Sequence, residues 1–381
     1  MSIGQNISKG MAMKFIDGFD HYFFSPTAKK KWDDQSGMVI SAPGRFGYGN
    51  KMRPAGSGSL FQLFWTGASK TTHPGGTSKI ITGAALRFDA GVSTSVAFHP
   101  FLAIRGDNLR HQVQFFMEAN TGRIRCGLAD PTWPITVSGI DPTTIPPTWY
   151  PDTDFVPPFG LWFFFEVAVS TTGTVDIYVD SELLTSMTGL TTLSGGASSY
   201  IGVRWMGVSQ FNSGYDMDDL YIADGTGSHV NDPIGESRIE YVTATAEGDV
   251  NDWLPSVGTN NAANVDGTTQ FGENGTQNGN PAQYNISDVL NAVDLYQHAD
   301  FTRDGTIYAV QVNTAVRKDD VGNRKVKPLL KTGGTTYEGP ESKLYSDYIY
   351  VGEIWPQNPN TSADWTLSQV NAVQTGIKIS T

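Results

Sequence analysis

Residues 161–180 constrain the fold more than any other part of this chain, with the sequence LWFFFEVAVSTTGTVDIYVD. In its second half, apolar and polar residues alternate from Val175 to Asp180, which is the pattern of a strand with one buried face. The first half is apolar on both faces apart from Glu166, and Gly173 supplies the turn between the halves. A hairpin this apolar requires a second sheet to cover it. The sequence therefore predicts an all-β fold built on an antiparallel β-sandwich.

Length and composition favour two β-rich domains. A chain of 381 residues exceeds one ordinary core, and about two domains are expected. The 42 glycines, 20 prolines and low charged fraction of 17% suit short strands joined by many turns.

The net charge of -12 disfavours a nucleic-acid partner, because an acidic surface repels phosphate. Cys126 is the only cysteine, so no intramolecular disulfide forms, and we predict a buried small hydrophobe there.

The sequence shows neither a membrane span nor an export signal. Its longest apolar run, residues 161–165, is far shorter than the roughly 20 residues that a spanning helix requires. The N-terminus lacks the basic-then-apolar order of a secretion signal. We therefore expect no membrane insertion, and synthesis in a cytoplasm without export by the usual route.

Turn signals and shifts in composition divide the chain into four parts. Residues 1–12 are predicted to be an N-terminal arm, residues 13–225 the β-sandwich, residues 226–236 a linker, and residues 237–381 a smaller β-rich domain. Strand candidates follow one another at short spacing in the first domain, and no helical stripe persists there for three turns. Near the end of the second domain, Asp364 is predicted to cap a short helix.

A proline-rich loop at residues 130–158 is the first candidate contact site. It carries four aromatic residues, Trp133, Trp149, Tyr150 and Phe155. Proline excludes the loop from a sheet interior, and a loop this long in a compact domain is often functional. Exposed aromatic rings on such a loop suit stacking on sugars or contact with a neighbouring subunit. The alternative is that these rings cap the end of the sandwich.

An acidic segment at residues 215–225, YDMDDLYIADG, is the candidate metal site. The carboxylates of Asp216, Asp218 and Asp219 repel one another unless they bind a cation or accept backbone N–H bonds. Calcium is the candidate ion, although its usual six to eight oxygen ligands exceed the three in view. The alternative is that the three carboxylates hydrogen-bond neighbouring turns. Apart from this candidate, no cofactor is expected.

Catalytic constellations are not evident. A glycoside hydrolase requires two carboxylates that flank the scissile bond, but Glu118 and Glu166 are lone carboxylates on separate predicted strands. The six histidines are scattered without metal-ligand spacing, and neither a nucleophile elbow nor a phosphate-binding loop is present. We therefore predict no catalytic residues, while a carboxylate pair assembled from distant positions stays open.

Several motifs stand out along the two halves of the chain. In the first domain they are FIDGFD at 15–20, GRFGYG at 44–49, FEVAVSTTGTVDIYVD at 165–180 and MDDLYIADG at 217–225. In the second half they are RIEYVT at 238–243, a Trp-containing loop at 252–253, TIYAVQV at 306–312 and WTLSQVNAVQTG at 365–376. Together they resemble the concanavalin-like lectin/glucanase sandwich of tailed-bacteriophage virion proteins, and the resemblance covers most of the chain. The metal ligands of true legume lectins have no clear match in it.

This resemblance implies a non-enzymatic structural role in the virion, as a tail, tail-tip or fibre component made in the host cytoplasm. The implied partners are other virion proteins and further copies of the chain in a homo-oligomer, with host surface carbohydrate as a candidate ligand. Two alternatives stay open. One is a head decoration protein that stabilises the capsid, and the other is a polysaccharide-degrading enzyme on the same fold.

Overall fold

The computed structural model shows two compact units, one ending at Ile239 and one comprising Glu240–Thr381. The first unit thus extends beyond residue 225, where the sequence analysis ended the sandwich. The residues that the structure describes are 13–22, 31, 34–36, 38–54, 60–64, 76–89, 98–108, 111–118, 121–128, 154–206, 215–225, 229–266, 276–277, 280–281 and 283–381.

The first unit consists of antiparallel strands in two sheets. Its strands are β1 (Met13–Asp17), β2 (Asp34–Ser36), β3 (Met38–Ser41), β4 (Lys51–Pro54), β5 (Leu60–Phe64), β6 (Lys79–Phe88), β7 (Phe98–Gly106), β8 (His111–Glu118), β9 (Ile124–Leu128), β10 (Phe163–Ser170), β11 (Thr174–Val179), β12 (Glu182–Met187), β13 (Tyr200–Met206) and β14 (Tyr215–Ala223). One sheet has eight strands in the order β12-β11-β10-β6-β14-β4-β3, with β1 also paired to β14. The other has six strands in the order β2-β5-β13-β7-β8-β9.

Aromatic rings join the two sheets. The Phe165 ring on β10 lies 5.4 Å from the Phe101 ring on β7 and 5.9 Å from the Phe115 ring on β8, both in edge-to-face geometry. All three side chains are fully buried. The hairpin predicted at residues 161–180 is present as β10 and β11, and its apolar faces are covered as expected. The predicted fold class, an antiparallel β-sandwich followed by a β-rich unit, is confirmed.

The second unit is also β-rich. Its strands are β15 (Ala244–Asn251), β16 (Leu254–Pro255), β17 (Thr276–Gln277), β18 (Asn280–Pro281), β19 (Asn285–Ile286), β20 (Val293–His298), β21 (Val310–Val316), β22 (Lys325–Thr332), β23 (Thr335–Glu338), β24 (Ser342–Lys343), β25 (Ile349–Trp355) and β26 (Gln374–Ile379). A six-stranded sheet has the order β15-β20-β26-β22-β23 with β24 on β22, and β16-β19, β17-β18 and β21-β25 form separate pairs.

A short helix, α1 (Leu367–Asn371), precedes the last strand. Its N-cap is Thr366, whose hydroxyl accepts the N–H of Gln369 while the Gln369 side chain accepts the N–H of Thr366. The prediction of Asp364 as the cap was therefore wrong, because the reciprocal pair places the helix start two residues later. Val370 and Val373 bury against Trp355 and Trp365.

Two further predictions concern single features. Cys126 is buried on β9 as a free thiol, as predicted, and burial raises its pKa to about 12. Within the described residues, no helix combines the length and the hydropathy required to cross a membrane.

Removal of the Phe165 ring is expected to cost about 3–5 kcal/mol of unfolding free energy, because it leaves a cavity between the sheets. The matched control is Leu161→Ala, since Leu161 is 63% exposed and its truncation is expected to cost within about 0.5 kcal/mol. Urea titration of the full-length Phe165→Ala variant measures the difference. A loss below about 1 kcal/mol would contradict this packing of the two sheets.

Candidate functional site

The predicted aromatic contact loop is only partly within the described residues. Trp133, Trp149 and Tyr150 lie outside them. Phe155 is half-buried, and its ring lies 5.7 Å from the Phe163 ring at the start of β10. Its backbone carbonyl accepts the N–H of Ile124 at 3.2 Å. Phe155 therefore packs on the sandwich, while a contact role for the other three aromatic residues stays a prediction.

Asp216, the first of the three calcium candidates, lies among basic side chains. Its buried carboxylate is 2.7 Å from Nε of Arg53 and 3.1 Å from Nζ of Lys51. Arg87 also donates to it, with Nε at 3.0 Å. Burial alone raises the pKa of a carboxyl group, but hydrogen bonds from Arg53 and Arg87 hold the pKa of Asp216 below its usual value. Its negative charge is thus already balanced by protein cations.

Asp218 and Asp219 lie where β14 changes its pairing partner. The pairing of β14 with β6 shifts between Asp218 and Tyr221, and Asp219 has a φ of 52°. This bulge allows consecutive carboxylates to point into the same end of the sandwich. Asp218 accepts the N–H of Arg45 at 2.8 Å, and Asp219 accepts the N–H of Ile239 at 2.8 Å. Both carboxylates therefore hold backbone segments in place.

A third carboxylate, Asp20, joins this pair from the loop after β1. It accepts the N–H of Asn50 at 2.6 Å. Burial, and then repulsion from Asp17, raises the pKa of Asp20 to about 6, against the opposing hydrogen bond from Asn50. Burial is also the main cause of the raised pKa values of Asp218 and Asp219, and the charge of Asp20 raises both further. We call these three residues the carboxylate cluster.

Arg45 partly balances the carboxylate cluster. Its guanidinium lies 3.3 Å from the carboxylate of Asp219 and also pairs with Glu236. Among the described residues, no group of three or more histidine, cysteine or acidic side chains is arranged to hold a metal ion. Calcium binding by Asp216, Asp218 and Asp219 stays a prediction.

The carboxylate cluster holds a tight loop, residues 44–50, which we call the aromatic loop. Its backbone closes on itself, because the N–H of Gly44 donates to the carbonyls of Tyr48 and Gly49, both at 3.1 Å. A Cβ atom at Gly49 would lie 2.1 Å from a carboxylate oxygen of Asp20, so only glycine fits there. Gly49 also has a φ of 68°, which favours glycine for a second reason.

Two aromatic side chains project from this loop into solvent. Phe46 is 45% exposed and Tyr48 is 54% exposed. The guanidinium carbon of Arg238 lies 4.1 Å from the centroid of the Phe46 ring and 5.0 Å from that of Tyr48. Arg45 lies 4.9 Å from the Phe46 centroid. The segment GRFGYG carried only a family resemblance in the sequence. Its alternation of glycines with aromatic residues, which is typical of a tight loop, was the local signal for these rings.

The two lone carboxylates of the enzyme alternative have separate structural partners. Glu118 pairs with Arg125 at 3.0 Å and accepts the hydroxyl of Thr121 at 2.5 Å. Glu166 is 1% exposed on β10 and accepts a hydrogen bond from the hydroxyl of Tyr221. Burial raises the pKa of Glu166.

Comparison with known proteins gives only distant similarity. No protein-family model matches the chain, and no curated protein matches it. A cellulose induced protein, Cip1, aligns over 59% of this chain and 100% of its own with 14% identity and a TM-score of 0.39. Domain 4 of an extracellular arabinanase from Geobacillus stearothermophilus aligns over 58% and 96% with 12% identity and a TM-score of 0.34. A carbohydrate-binding module from Bacillus subtilis aligns over 50% and 97% with 8% identity and a TM-score of 0.29. At these scores the similarities decide nothing about family or ligand.

The contact between Gly49 and Asp20 predicts different outcomes for two alanine substitutions in the aromatic loop. Gly47→Ala is expected to cost about 1 kcal/mol, because Gly47 has a φ of 84° but no atom within 4 Å of a new Cβ. Gly49→Ala adds the clash with Asp20 to the same strain and is expected to lower the thermal midpoint at least about twice as far. Equal midpoints for the two variants would contradict the close approach of Asp20.

Asp20→Asn is expected to stabilise the chain at pH 8 by about 1 kcal/mol, with allowance for solvent screening of this partly exposed side chain. The asparagine oxygen still accepts the N–H of Asn50, but the unfavourable buried charge is gone. Because the folded pKa of Asp20 is raised, the wild type gains stability as the pH falls from about 7 to about 4, and the advantage of the variant disappears over that range. Urea titrations with a chelator present measure this difference. A constant difference between pH 4 and 8 would contradict the raised pKa.

Proposed function

We propose that this chain is a non-enzymatic structural protein of a tailed-phage virion, in which the first unit contacts host surface glycan. The motif resemblance supports placement in the virion as a tail, tail-tip or fibre component that assembles as a homo-oligomer. The observation that carries the contact role is the exposure of Phe46 and Tyr48 on the aromatic loop.

The energetics of the aromatic loop support a contact role. Buried carboxylates without full compensation are costly, and a surface turn can be built without them. Here Asp218 and Asp20 accept the N–H groups of Arg45 and Asn50 in the loop that carries the two exposed rings, and Asp219 accepts that of Ile239 beside it. A fixed aromatic side chain loses little conformational entropy on binding and offers an apolar face with, in Tyr48, a polar tip. The C–H faces and hydroxyl groups of a pyranose are the complementary chemistry.

The non-enzymatic part of the proposal is supported by the positions of Glu118 and Glu166. A glycosidase needs two carboxylates that face one cleft, with the scissile bond between them. Glu118 lies on β8 in an ion pair with Arg125, and Glu166 lies buried on β10 in the other sheet. These separate positions and partners support a structural role for both carboxylates.

The double substitution of Phe46 and Tyr48 by alanine is expected to weaken binding to host surface polysaccharide at least about tenfold, because each lost stacking contact is worth about 1 kcal/mol. Surface plasmon resonance with the full-length chain on immobilised polysaccharide measures the affinity. Tyr284→Ala is the matched control, since Tyr284 is an exposed aromatic residue of the second unit at 39% exposure. Its affinity is expected to equal that of the wild type.

The same assay separates the aromatic loop from the predicted loop at residues 130–158. Loss of binding on substitution of Trp133 and Trp149 by alanine, with none on substitution of Phe46 and Tyr48, would move the contact to that predicted loop. No binding of the wild type to any host glycan would contradict the contact role altogether.

Gold-labelled antibody on intact phage particles tests the virion part of the proposal. Label at the tail is the expected result. Label over the head would favour the decoration alternative. Unlabelled particles, together with release of reducing ends from host polysaccharide by the purified chain, would favour the enzyme alternative.

A further inference from the structure

Residues 229–239, which we call the strap, pack on the eight-stranded sheet as part of the first unit. Most of this segment was predicted to be a linker. The strap lies over the face of β10 that carries Glu166, opposite the Phe165 face that contacts the second sheet. On the neighbouring strand, a Cβ at Gly83 would lie 2.6 Å from the Glu166 side chain and 2.5 Å from that of Tyr221. Glycine at position 83 makes room for the groups that hold the strap.

Glu166 is the central anchor of the strap. Its Oε1 accepts the N–H of Ile234 at 2.9 Å and the N–H of Gly235 at 3.1 Å, in addition to the hydroxyl of Tyr221. Its Oε2 is buried and has no hydrogen-bond partner. These partners are neutral donors, so this carboxylate is buried without a counter-charge from them. Burial of a carboxylate without a counter-charge costs folding free energy. Two of the three hydrogen bonds that Glu166 accepts come from the backbone of the strap.

Further contacts fix both ends of the strap. Nζ of Lys79 donates to the carbonyl of Asn231 at 2.7 Å and to the carboxylate of Asp232 at 2.9 Å. The hydroxyl of Ser181 accepts the N–H of Glu236 at 2.7 Å. At the far end, the N–H of Ile239 donates to Asp219. The strap is therefore bound along its length and not only at one point.

The strap also completes the aromatic loop. Arg238 is the residue whose guanidinium lies against the rings of both Phe46 and Tyr48. The carbonyl of Ser237 accepts a hydrogen bond from Arg45 at 3.3 Å. Three consecutive residues, 237–239, thus contact the aromatic loop or the carboxylate cluster beneath it.

We infer that the strap is part of the contact site on the first unit, and that Glu166 is a positioning residue that holds the strap so that Arg238 lies against the exposed rings of Phe46 and Tyr48. The role of this arrangement in glycan binding rests on the proposed function. Because the strap continues directly into the second unit at Glu240, the residues that complete the site are also the covalent connection between the two units.

Hydrogen exchange followed by mass spectrometry on the full-length chain tests this inference without any glycan. Glu166→Ala removes the acceptor of two strap N–H groups, so exchange is expected to accelerate at least about tenfold at residues 234–239 and also at residues 44–50. Glu166→Gln keeps an oxygen acceptor and is expected to stay within about twofold of the wild type. Glu118→Ala, a matched loss of a carboxylate on the other sheet, is expected to leave both segments unchanged.

Faster exchange at the strap with unchanged exchange at residues 44–50 would overturn the inference, as would no change at either segment. Should Glu166→Ala fail to fold, Lys79→Ala loosens the strap from its exposed end, and acceleration at both segments is again the expected result. Polysaccharide binding that is insensitive to substitution of Phe46 and Tyr48 would contradict the proposed function, and the role of the strap in glycan binding with it, while the dependence of the aromatic loop on Glu166 and the strap would still be tested by hydrogen exchange alone. The two failures are therefore distinguishable.

Discussion

Carboxylates buried at the bulge of β14 are the constraint on which the rest of the first unit depends. β14 pairs with β1 over its second half and with β4 at Met217, so its edge partner changes within a few residues. The chain changes partner at Asp219, where the backbone is left-handed. Close to this point, Asp218 and Asp20 accept the N–H groups of Arg45 and Asn50 in the aromatic loop, and Asp219 accepts that of Ile239 in the strap. The sandwich tolerates costly buried charge because open backbone donors would also be costly.

The functional proposal follows from what these carboxylates hold. Each one binds a backbone N–H of the aromatic loop or of the strap, so both segments are fixed to the sheet and not only to each other. The exposed side chains of Phe46 and Tyr48 therefore project from a backbone that hydrogen bonds to buried carboxylates hold in place. A surface turn without these carboxylates would lack those hydrogen bonds. Glu166 acts in the same way on residues 234–235, earlier in the strap. The carboxylate cluster and Glu166 are best understood as groups that hold the backbone of the aromatic loop and of the strap.

The sequence predicted the fold class and the central hairpin, because an apolar run, a turn glycine and period-two alternation from Val175 to Asp180 together indicate a hairpin that a second sheet must cover. It did not predict which carboxylates come together. Asp20 lies nearly 200 residues from Asp218, and pairing of β1 with β14 brings them together, which no local pattern reveals. Glu166 looked like a lone strand carboxylate for the same reason, since its partners come from β14 and from the strap, which are both distant in sequence. The exposed Phe46 lay in a motif that was used for resemblance and not for chemistry.

Direct measurement of the carboxyl pKa values tests the central claim of this account. Nuclear magnetic resonance titration of the chain with ¹³C-labelled aspartate, assigned through Asp20→Asn and Asp218→Asn, follows each carboxyl carbon with pH. The account predicts that Asp20 titrates near pH 6 and that Asp218 titrates well above the usual range for aspartate. Titration of both groups near pH 4, as for solvated carboxylates, would show that the cluster is not buried and that it does not hold the aromatic loop.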